Sequence, residues 1–232
     1  AQTLKDEYFV ETYLLDIRGH GMSGGRRGDC PSEESLYKDI NEMLQMATKD
    51  KTNLPIYLGG HSSGGGLVLN YNSWSEKKEV DGYFFIAPEF GYKSNTKKKD
   101  AIPFADIEVK KFIKNAMSNG VKYQNDYAVH FNYPKKVVLN EPSIVTSITV
   151  NMAKALTPSN PKEQFRSIKK PFALFIGDND ELFDSEKLIE YASLPSLKDE
   201  KSVSKTLEKT THLSILINIG TEIGSTIKKW NL

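Results

Sequence analysis

The sequence predicts a three-layer α/β architecture, in which helices cover both faces of a mostly parallel sheet. Short apolar segments alternate along the chain with segments whose apolar residues recur at helical spacing. Parallel strands need crossover connections, which are usually helices, and the covered strands between them are almost entirely apolar. A length of 232 residues suits one large α/β core.

Apolar segments bounded by turn residues are expected to form the strands. They lie at 13–16, 55–58, 82–87, 172–176 and, alternating like an edge strand, 203–207. Helices are expected where apolar residues repeat every three or four positions. These segments lie at 32–47, 64–74 and 213–227, and 1–7 has the pattern of a helix end.

Residues 91–165 interrupt this alternation between the third and fourth expected strands. After a lysine-rich loop, helical spacing recurs at 143–156 and in the earlier stripe Val109, Phe112, Ile113, Ala116 and Met117. An insertion at the carboxyl ends of parallel strands lies where ligands bind. We therefore predict an all-helical cap at 91–165 and a core made of 1–90 and 166–232, although each helix fits packing on the core equally well.

Composition narrows the classes of function. Lys and Arg number 31 against 30 Asp and Glu, so the chain has no overall positive field for nucleic acid. Its apolar runs are shorter than the about 20 residues that a membrane-spanning helix needs. The single cysteine, Cys30, excludes an intrachain disulfide and a Cys-based zinc site and fits a reducing compartment. We therefore expect a cytoplasmic enzyme, or a relative of one, that binds no nucleic acid.

The first chemical motif is a G-x-S-x-G turn between an expected strand and an expected helix. Its residues are Gly60, His61, Ser62, Ser63 and Gly64. In this motif the glycines let the neighbouring backbone pack closely around a sharply turned serine. Ser62 is the predicted nucleophile, and the N–H of Ser63 is predicted to bind an oxyanion. The pattern alone also fits a Gly-rich turn with an incidental serine, whereas a phosphate loop lacks its lysine.

A nucleophilic serine needs a base, and the base needs a carboxylate that orients it. Asp180 lies in the loop after the fourth expected strand, and His212 follows the last one. The order Ser, Asp, His, with each residue after a different strand, predicts a triad of Ser62, Asp180 and His212. Asp178 and Asp184 are weaker candidates for the acid, because acidic loop residues are commonly turn formers or helix caps.

The loop 19–24 matches G-x-G-x-x-G and raises the alternative of a dinucleotide site. In that fingerprint the glycines open a helix, and an acidic residue ends the second strand. Here 26–31 continue the loop, and Asp39 falls inside a helical pattern. We therefore do not predict a dinucleotide site.

Together these motifs resemble the α/β-hydrolase superfamily. The resemblance rests on D-x-R-G-H-G-x-S at 16–23, the G-H-S-x-G turn, G-x-x-D at 177–180 and the late histidine. Within this superfamily, the sequence resembles the branch that contains monoacylglycerol lipases, lysophospholipases and serine aminopeptidases. The resemblance extends over most of 8–230, and the expected cap is the divergent part. The resemblance implies Ser62 as nucleophile, Asp180 as acid, His212 as base, and an ester or thioester substrate admitted under a helical cap.

The combined prediction is a lipase-like serine hydrolase of carboxylic esters, with a monoacylglycerol, a lysophospholipid or another acyl ester as its partner. Its mechanism needs no metal or organic cofactor. A peptidase or thioesterase on the same triad, and a non-catalytic ligand- or partner-binding member of the fold, remain alternatives. The lysine-rich segment 93–99 fits a solvated loop or a peripheral contact with anionic lipid head groups.

The amino terminus leads to an expectation about residues upstream of Ala1. No Met, basic segment or apolar leader opens the chain, and the helical 1–7 runs directly into an apolar segment. In the hydrolases that the chain resembles, an earlier strand lies between the strands expected here at 10–16 and 55–60. A His-Gly loop there supplies a second oxyanion N–H. We expect at least one such strand and loop before Ala1.

Overall fold

The computed structural model describes residues 1–49, 51, 53–195 and 200–231. They divide into unit 1, made of 1–13, 49–101 and 157–232, and unit 2, made of 14–48 and 102–156. Within the described ranges, no helix combines the length and the apolar character needed to cross a bilayer. The division of the chain into a hydrolase core at 1–90 and 166–232 and a cap at 91–165 stays a prediction.

Unit 1 is built on a four-stranded parallel sheet in the order β1–β2–β6–β7. These strands are β1 (Tyr57–His61), β2 (Gly82–Ile86), β6 (Phe172–Gly177) and β7 (Val203–Leu207). Every residue of β2 and β6 is buried, as expected for inner strands that are covered on both faces. In the register of the sheet, Phe85 of β2 lies between Gly60 of β1 and Leu174 of β6. The strands expected at 55–58, 82–87, 172–176 and 203–207 are confirmed, the first lying slightly later in the chain.

Helices α3 (Ser63–Ser73), α8 (Ser185–Glu190) and α9 (Ile215–Trp230) pack against the strands of this sheet. The other helices of unit 1 are α1 (Gln2–Tyr8), which packs on α9, and α7 (Pro161–Arg166), which packs on α3. Phe165 of α7 is fully buried, with the rings of Phe85 and Phe90 at 5.2 and 5.7 Å. Burying a side chain of this kind contributes about 1.5–3 kcal/mol to folding.

The strand predicted at 13–16 is wrong. Residues 9–16 have no regular secondary structure, and the Leu14 side chain is 84% exposed. An apolar run forms a strand only where a neighbouring strand accepts its backbone hydrogen bonds and a core accepts its side chains. The Tyr13 hydroxyl instead donates to Glu11 at 2.6 Å and accepts from Lys51 at 2.8 Å.

Unit 2 joins helices to a small antiparallel sheet in the order β3–β4–β5. Its strands are β3 (Ala105–Ile107), β4 (Tyr127–Phe131) and β5 (Ser147–Thr149). Helix α6 (Val150–Leu156) packs against β4, β5, α2 (Glu33–Thr48) and α4 (Val109–Met117), and α5 (Lys135–Asn140) completes the unit. Buried Leu36 and Ile40 of α2 and Met152 of α6 belong to its core.

The expectation that 91–165 is all-helical is wrong, because it contains this antiparallel sheet. The helix predicted at 143–156 begins only at Val150, after β5. Strands β3 and β5 have three residues each, which is too short for apolar alternation to be recognised. Helix α4 is confirmed, but its apolar stripe is open to solvent, since Ile113 is 53% and Met117 81% exposed.

Polar side chains of the loop and of α2 hold the loop with the D-x-R-G-H-G-x-S motif in place. Arg18 donates to both carboxylate oxygens of Asp39, at 3.0 and 2.6 Å. Ser23 Oγ donates to the carbonyl of Asp16 at 2.6 Å. Helix α2 begins at Glu33, well after the glycines, and Asp39 is engaged by Arg18. Both facts agree with the rejection of a dinucleotide site.

Cys30 lies at the end of this loop and is fully buried in unit 2. Asn151 of α6 donates to the carbonyl of the neighbouring Pro31 at 2.8 Å, which ties the segment to the helix. Burial raises the pKa of the Cys30 thiol to about 12. Because the thiolate is the reactive form of cysteine, this thiol is inert in the folded unit.

Candidate active site

Ser62 occupies the sharp turn between β1 and α3. Its backbone has a φ of 53° and a ψ of −122°, a conformation that costs a residue with a side chain about 1–3 kcal/mol. Bonds to the end of β2 hold the turn: Ser62 N–H donates to the carbonyl of Ile86 at 3.0 Å, and its own carbonyl accepts from Glu89 N–H at 2.9 Å. Ser62 therefore lies in a sharp, strained turn from strand to helix.

The glycines of the motif do not have equal roles. A Cβ at Gly60 would collide with the backbone of Gly64, whereas a Cβ at Gly64 would meet open space. The next residue, Gly65, is more restricted, because a Cβ there would lie 2.6 Å from Pro88 Cβ. The predicted close packing thus holds at Gly60 but not at Gly64, and Gly65 takes the place of the second required glycine.

Gly60→Ala is expected to lower the free energy of unfolding by about 1–3 kcal/mol, the usual cost of overpacking. The added methyl group would have to displace the main chain at the start of α3. Urea or thermal unfolding of the purified protein measures the change. Gly64→Ala is the matched control and is expected to be neutral or slightly stabilising, because alanine favours a helix. Equal losses in the two variants would contradict this account of the turn.

The structure brings the three predicted catalytic side chains together. His212 Nε2 lies 3.0 Å from Ser62 Oγ, and His212 Nδ1 lies 2.8 Å from Asp180 Oδ2. An ionised carboxylate only accepts hydrogen bonds, so Nδ1 carries the proton and Nε2 is free to accept from the serine hydroxyl. His212 is 4% exposed and Asp180 is fully buried, so the pair is shielded from water.

Asp180 is kept in its charged form by its hydrogen bonds. Its Oδ1 accepts from the N–H groups of Leu182 and Phe183, at 2.9 and 2.8 Å. Burial raises the pKa of Asp180, but the bonds from the His212 ring and these N–H groups outweigh it and bring the pKa below its usual value. A depressed carboxyl pKa stabilises the fold at neutral pH, and this stability is lost as the pH falls through that lowered pKa.

The weaker candidates for the acid have other partners. Asp178 is exposed, and its Oδ1 accepts from Thr210 N–H at 3.1 Å. Asp184 caps α8 by accepting from Lys187 N–H at 3.2 Å. The geometry therefore places Asp180, and neither of these, against the imidazole.

The acid loop and the histidine loop are hydrogen-bonded to each other at Thr210. Asn179 N–H donates to the carbonyl of Thr210 at 3.1 Å, and Thr210 N–H donates to the Asp178 side-chain oxygen Oδ1. A Cβ at Gly177 would collide with the Thr210 carbonyl, so glycine at the end of β6 allows this approach. These contacts join the loops that carry Asp180 and His212.

Ser63 is the first residue of α3, where N–H groups have no partner within the helix. The positive end of the helix dipole lies at the same place. The Ser63 N–H is therefore suited to hydrogen-bond a negatively charged oxygen formed next to Ser62, as the sequence predicts.

Sequence reasoning missed Glu89, which follows β2 and lies close to the triad. Its Oε1 accepts from Gly91 N–H at 2.8 Å. Burial raises the pKa of Glu89, although nearby Lys97 and His212 partly oppose this rise. No sequence signal marks this residue, because its surroundings are set by the turn after β2. Across the described ranges, no group of three or more His, Cys, Asp or Glu is arranged to hold a metal ion.

A family model described as serine aminopeptidase, S33, matches residues 3–212, which include Ser62, Asp180 and His212. The chain belongs to this family.

Relatives of this S33 family member include monoacylglycerol lipases. The monoacylglycerol lipase of Mycolicibacterium smegmatis is 39% identical over 61 residues, which are 26% of this chain and 22% of that relative. The solved structures that resemble this chain include a soluble variant of the Saccharomyces cerevisiae monoglyceride lipase in complex with a substrate analog, with a TM-score of 0.63 and 17% identity. The aligned region covers 93% of this chain and 74% of the yeast chain.

The structure of the Paleococcus ferrophilus monoacylglycerol lipase resembles this chain with a TM-score of 0.58 and 19% identity. The aligned region covers 91% of this chain and 79% of the Paleococcus chain. At such identities the structural likeness shows the fold, which is that of the α/β-hydrolases. The predicted fold class and the resemblance to the monoacylglycerol lipase-type branch are confirmed.

Proposed function

We propose that the protein is a serine hydrolase of carboxylic esters, with Ser62 as nucleophile, His212 as general base and Asp180 as the orienting acid. One observation carries the proposal: an unbroken series of contacts runs from Ser62 Oγ through the His212 ring to Asp180, at 3.0 and 2.8 Å. The burial of Asp180 and His212 supports it further, because charge interactions are stronger away from water.

In the acylation step, Ser62 Oγ attacks the carbonyl carbon of the ester while His212 Nε2 takes the hydroxyl proton. The carbonyl oxygen becomes an oxyanion, to which Ser63 N–H donates a hydrogen bond. Asp180 stabilises the imidazolium. His212 then gives its proton to the leaving alkoxide, the ester C–O bond breaks, and an alcohol departs from an acyl-Ser62 ester.

In the deacylation step, water takes the place of the alcohol. His212 removes a proton from water, and the hydroxide formed attacks the acyl carbonyl. The bond to Ser62 Oγ breaks, Ser62 recovers its proton from His212, and a carboxylic acid leaves. Asp180 has the same electrostatic role in both steps, which is why its ionised form is required.

The substrate class that we propose is a lipid acyl ester, such as a monoacylglycerol or a lysophospholipid. The names of the Mycolicibacterium smegmatis and Saccharomyces cerevisiae relatives support this choice. The exposed apolar side of α4 is suited to contact with a lipid surface. The description of the matching family as a serine aminopeptidase favours peptide cleavage as the second candidate.

A fluorophosphonate probe tests the proposal directly, because it reacts with activated serines. We expect labelling of Ser62 that is lost in Ser62→Ala and kept in Ser73→Ala, since Ser73 ends α3 and donates to Leu69 instead. The same preparations are assayed with a monoacylglycerol, a lysophospholipid, a short nitrophenyl ester, an acyl thioester and an aminoacyl anilide. Preference for the anilide or the thioester would select the corresponding alternative. A wild-type protein that is neither labelled nor active would leave only the non-catalytic binding role.

A further inference from the structure

The main chain of His212 is bonded on both sides by side chains next to the other two triad residues. Its N–H donates to Glu181 Oε2 at 3.0 Å, and Glu181 directly follows Asp180. Its carbonyl accepts from His61 Nε2 at 2.8 Å, and His61 directly precedes Ser62. The acid loop and the end of β1 therefore each hold the backbone of the base.

The bond from His61 fixes the protonation of that ring. A carbonyl oxygen only accepts, so Nε2 of His61 must carry a hydrogen. The ring also packs on the imidazole of His212, with centroids 4.7 Å apart and planes inclined by 41°. Burial lowers the pKa of His61, so the neutral ring with its hydrogen on Nε2 is the form that makes this contact near neutral pH.

Glu181 reaches the histidine loop from the acid loop. Its side chain is on the exposed side of the acid loop, and one carboxylate oxygen accepts the His212 N–H. His212 itself lies between β7 and α9, where the main chain forms a turn closed by bonds between Thr211 and Ser214. The two side chains therefore add fixed points at the residue whose ring has to face Ser62 and Asp180 together.

We propose that His61 and Glu181 are positioning residues that clamp the backbone of His212 and thereby hold its imidazole in line between Ser62 and Asp180. This inference rests on the proposed function, since it concerns the base of the same triad. It assigns no chemical step to either residue. Its physical basis is that a displacement of a catalytic group by about 1 Å can cost about 100-fold in rate.

Paired substitutions separate the hydrogen bonds from other roles of the two side chains. His61→Phe keeps an aromatic ring against His212 but removes the donor, whereas His61→Gln keeps an N–H donor. Glu181→Ala removes the acceptor, whereas Glu181→Gln keeps a carbonyl oxygen there. Glu186→Ala, an exposed change in the first turn of α8, is the control.

We expect His61→Phe and Glu181→Ala each to lower kcat on an ester by about 10- to 100-fold, with KM changed less than about twofold. The two Gln variants should recover most of the wild-type kcat, and Glu186→Ala should retain it. Wild-type kcat in both His61→Phe and Glu181→Ala would overturn the proposal. The proposal would also be overturned if His61→Gln and Glu181→Gln lost as much kcat as His61→Phe and Glu181→Ala while the melting temperatures stayed unchanged.

A second measurement does not depend on turnover. In protein labelled with nitrogen-15 histidine, the Nδ1 proton that His212 shares with Asp180 should be seen by proton NMR and assigned among four histidines by its loss in His212→Gln. We expect this signal to broaden in His61→Phe and Glu181→Ala and to persist in both Gln variants. If the signal were unchanged in all four variants of His61 and Glu181, the clamp would be overturned even in a protein without esterase activity. Absence of turnover and labelling, with the expected NMR pattern, would refute the hydrolase alone.

Discussion

Ser62→Ala is expected to lower ester turnover by about 10³- to 10⁶-fold, the range found when a triad residue is removed. The Ser62 hydroxyl lies 3.0 Å from His212 Nε2, where it is placed to form an acyl intermediate with that base. Single-turnover and steady-state rates on a nitrophenyl ester measure the loss. The burst of released alcohol should vanish together with the steady-state rate.

The controls for this prediction are His212→Ala and the double variant, which test whether the triad residues act as one unit. His212→Ala should cost about as much as Ser62→Ala, and the double variant should be hardly slower than either, because residues that act together are strongly non-additive. Losses that multiply would mean that Ser62 and His212 act independently. Full activity in Ser62→Ala would falsify the mechanism.

Asp180→Asn is expected to lower kcat by about 10⁴-fold, the size of effect seen when the orienting carboxylate of a triad becomes an amide. An amide nitrogen placed 2.8 Å from His212 Nδ1 would favour the tautomer with its hydrogen on Nε2, which cannot accept the proton of Ser62. Steady-state kinetics measure the loss, and thermal melting shows whether the fold is kept.

Asp178→Asn is the matched control, two residues away on the same loop. Its amide oxygen still accepts the N–H of Thr210, so the histidine loop should stay in place and the rate should change by less than about tenfold. A reversed order of the two losses, or a loss seen only in Asp184→Asn, would show that the acid is assigned wrongly.

Much of the fold could be predicted because its inner strands carry their own signal. Strands β2 and β6 consist mostly of apolar and aromatic residues, so their burial on both faces could be predicted from the sequence. The segment 13–16 has a similar apolar pattern but is not a strand. A strand forms only beside a neighbouring strand, and the local sequence does not show whether that neighbour is present. The short strands β3 and β5 were missed for the opposite reason, since three residues hold too little pattern.

The candidate triad was predictable because chain order and position after strands constrain it strongly. The contacts that support it were not. Glu181 meets the main chain of His212 from a loop, and His61 meets it from the end of β1. Spacing along the sequence does not specify which backbone atom either side chain reaches. The unequal roles of Gly60 and Gly64 were also hidden, because the motif records residue type and not the space around it.

The single buried cysteine makes the chain its own probe of local opening. Cys30 is the one thiol in the sequence, and it belongs to unit 2. A buried thiol with a pKa raised to about 12 reacts with an alkylating reagent only after its surroundings open. The alkylation rate at low denaturant therefore reports the opening free energy of unit 2, without any introduced label, while the triad of unit 1 remains unmodified.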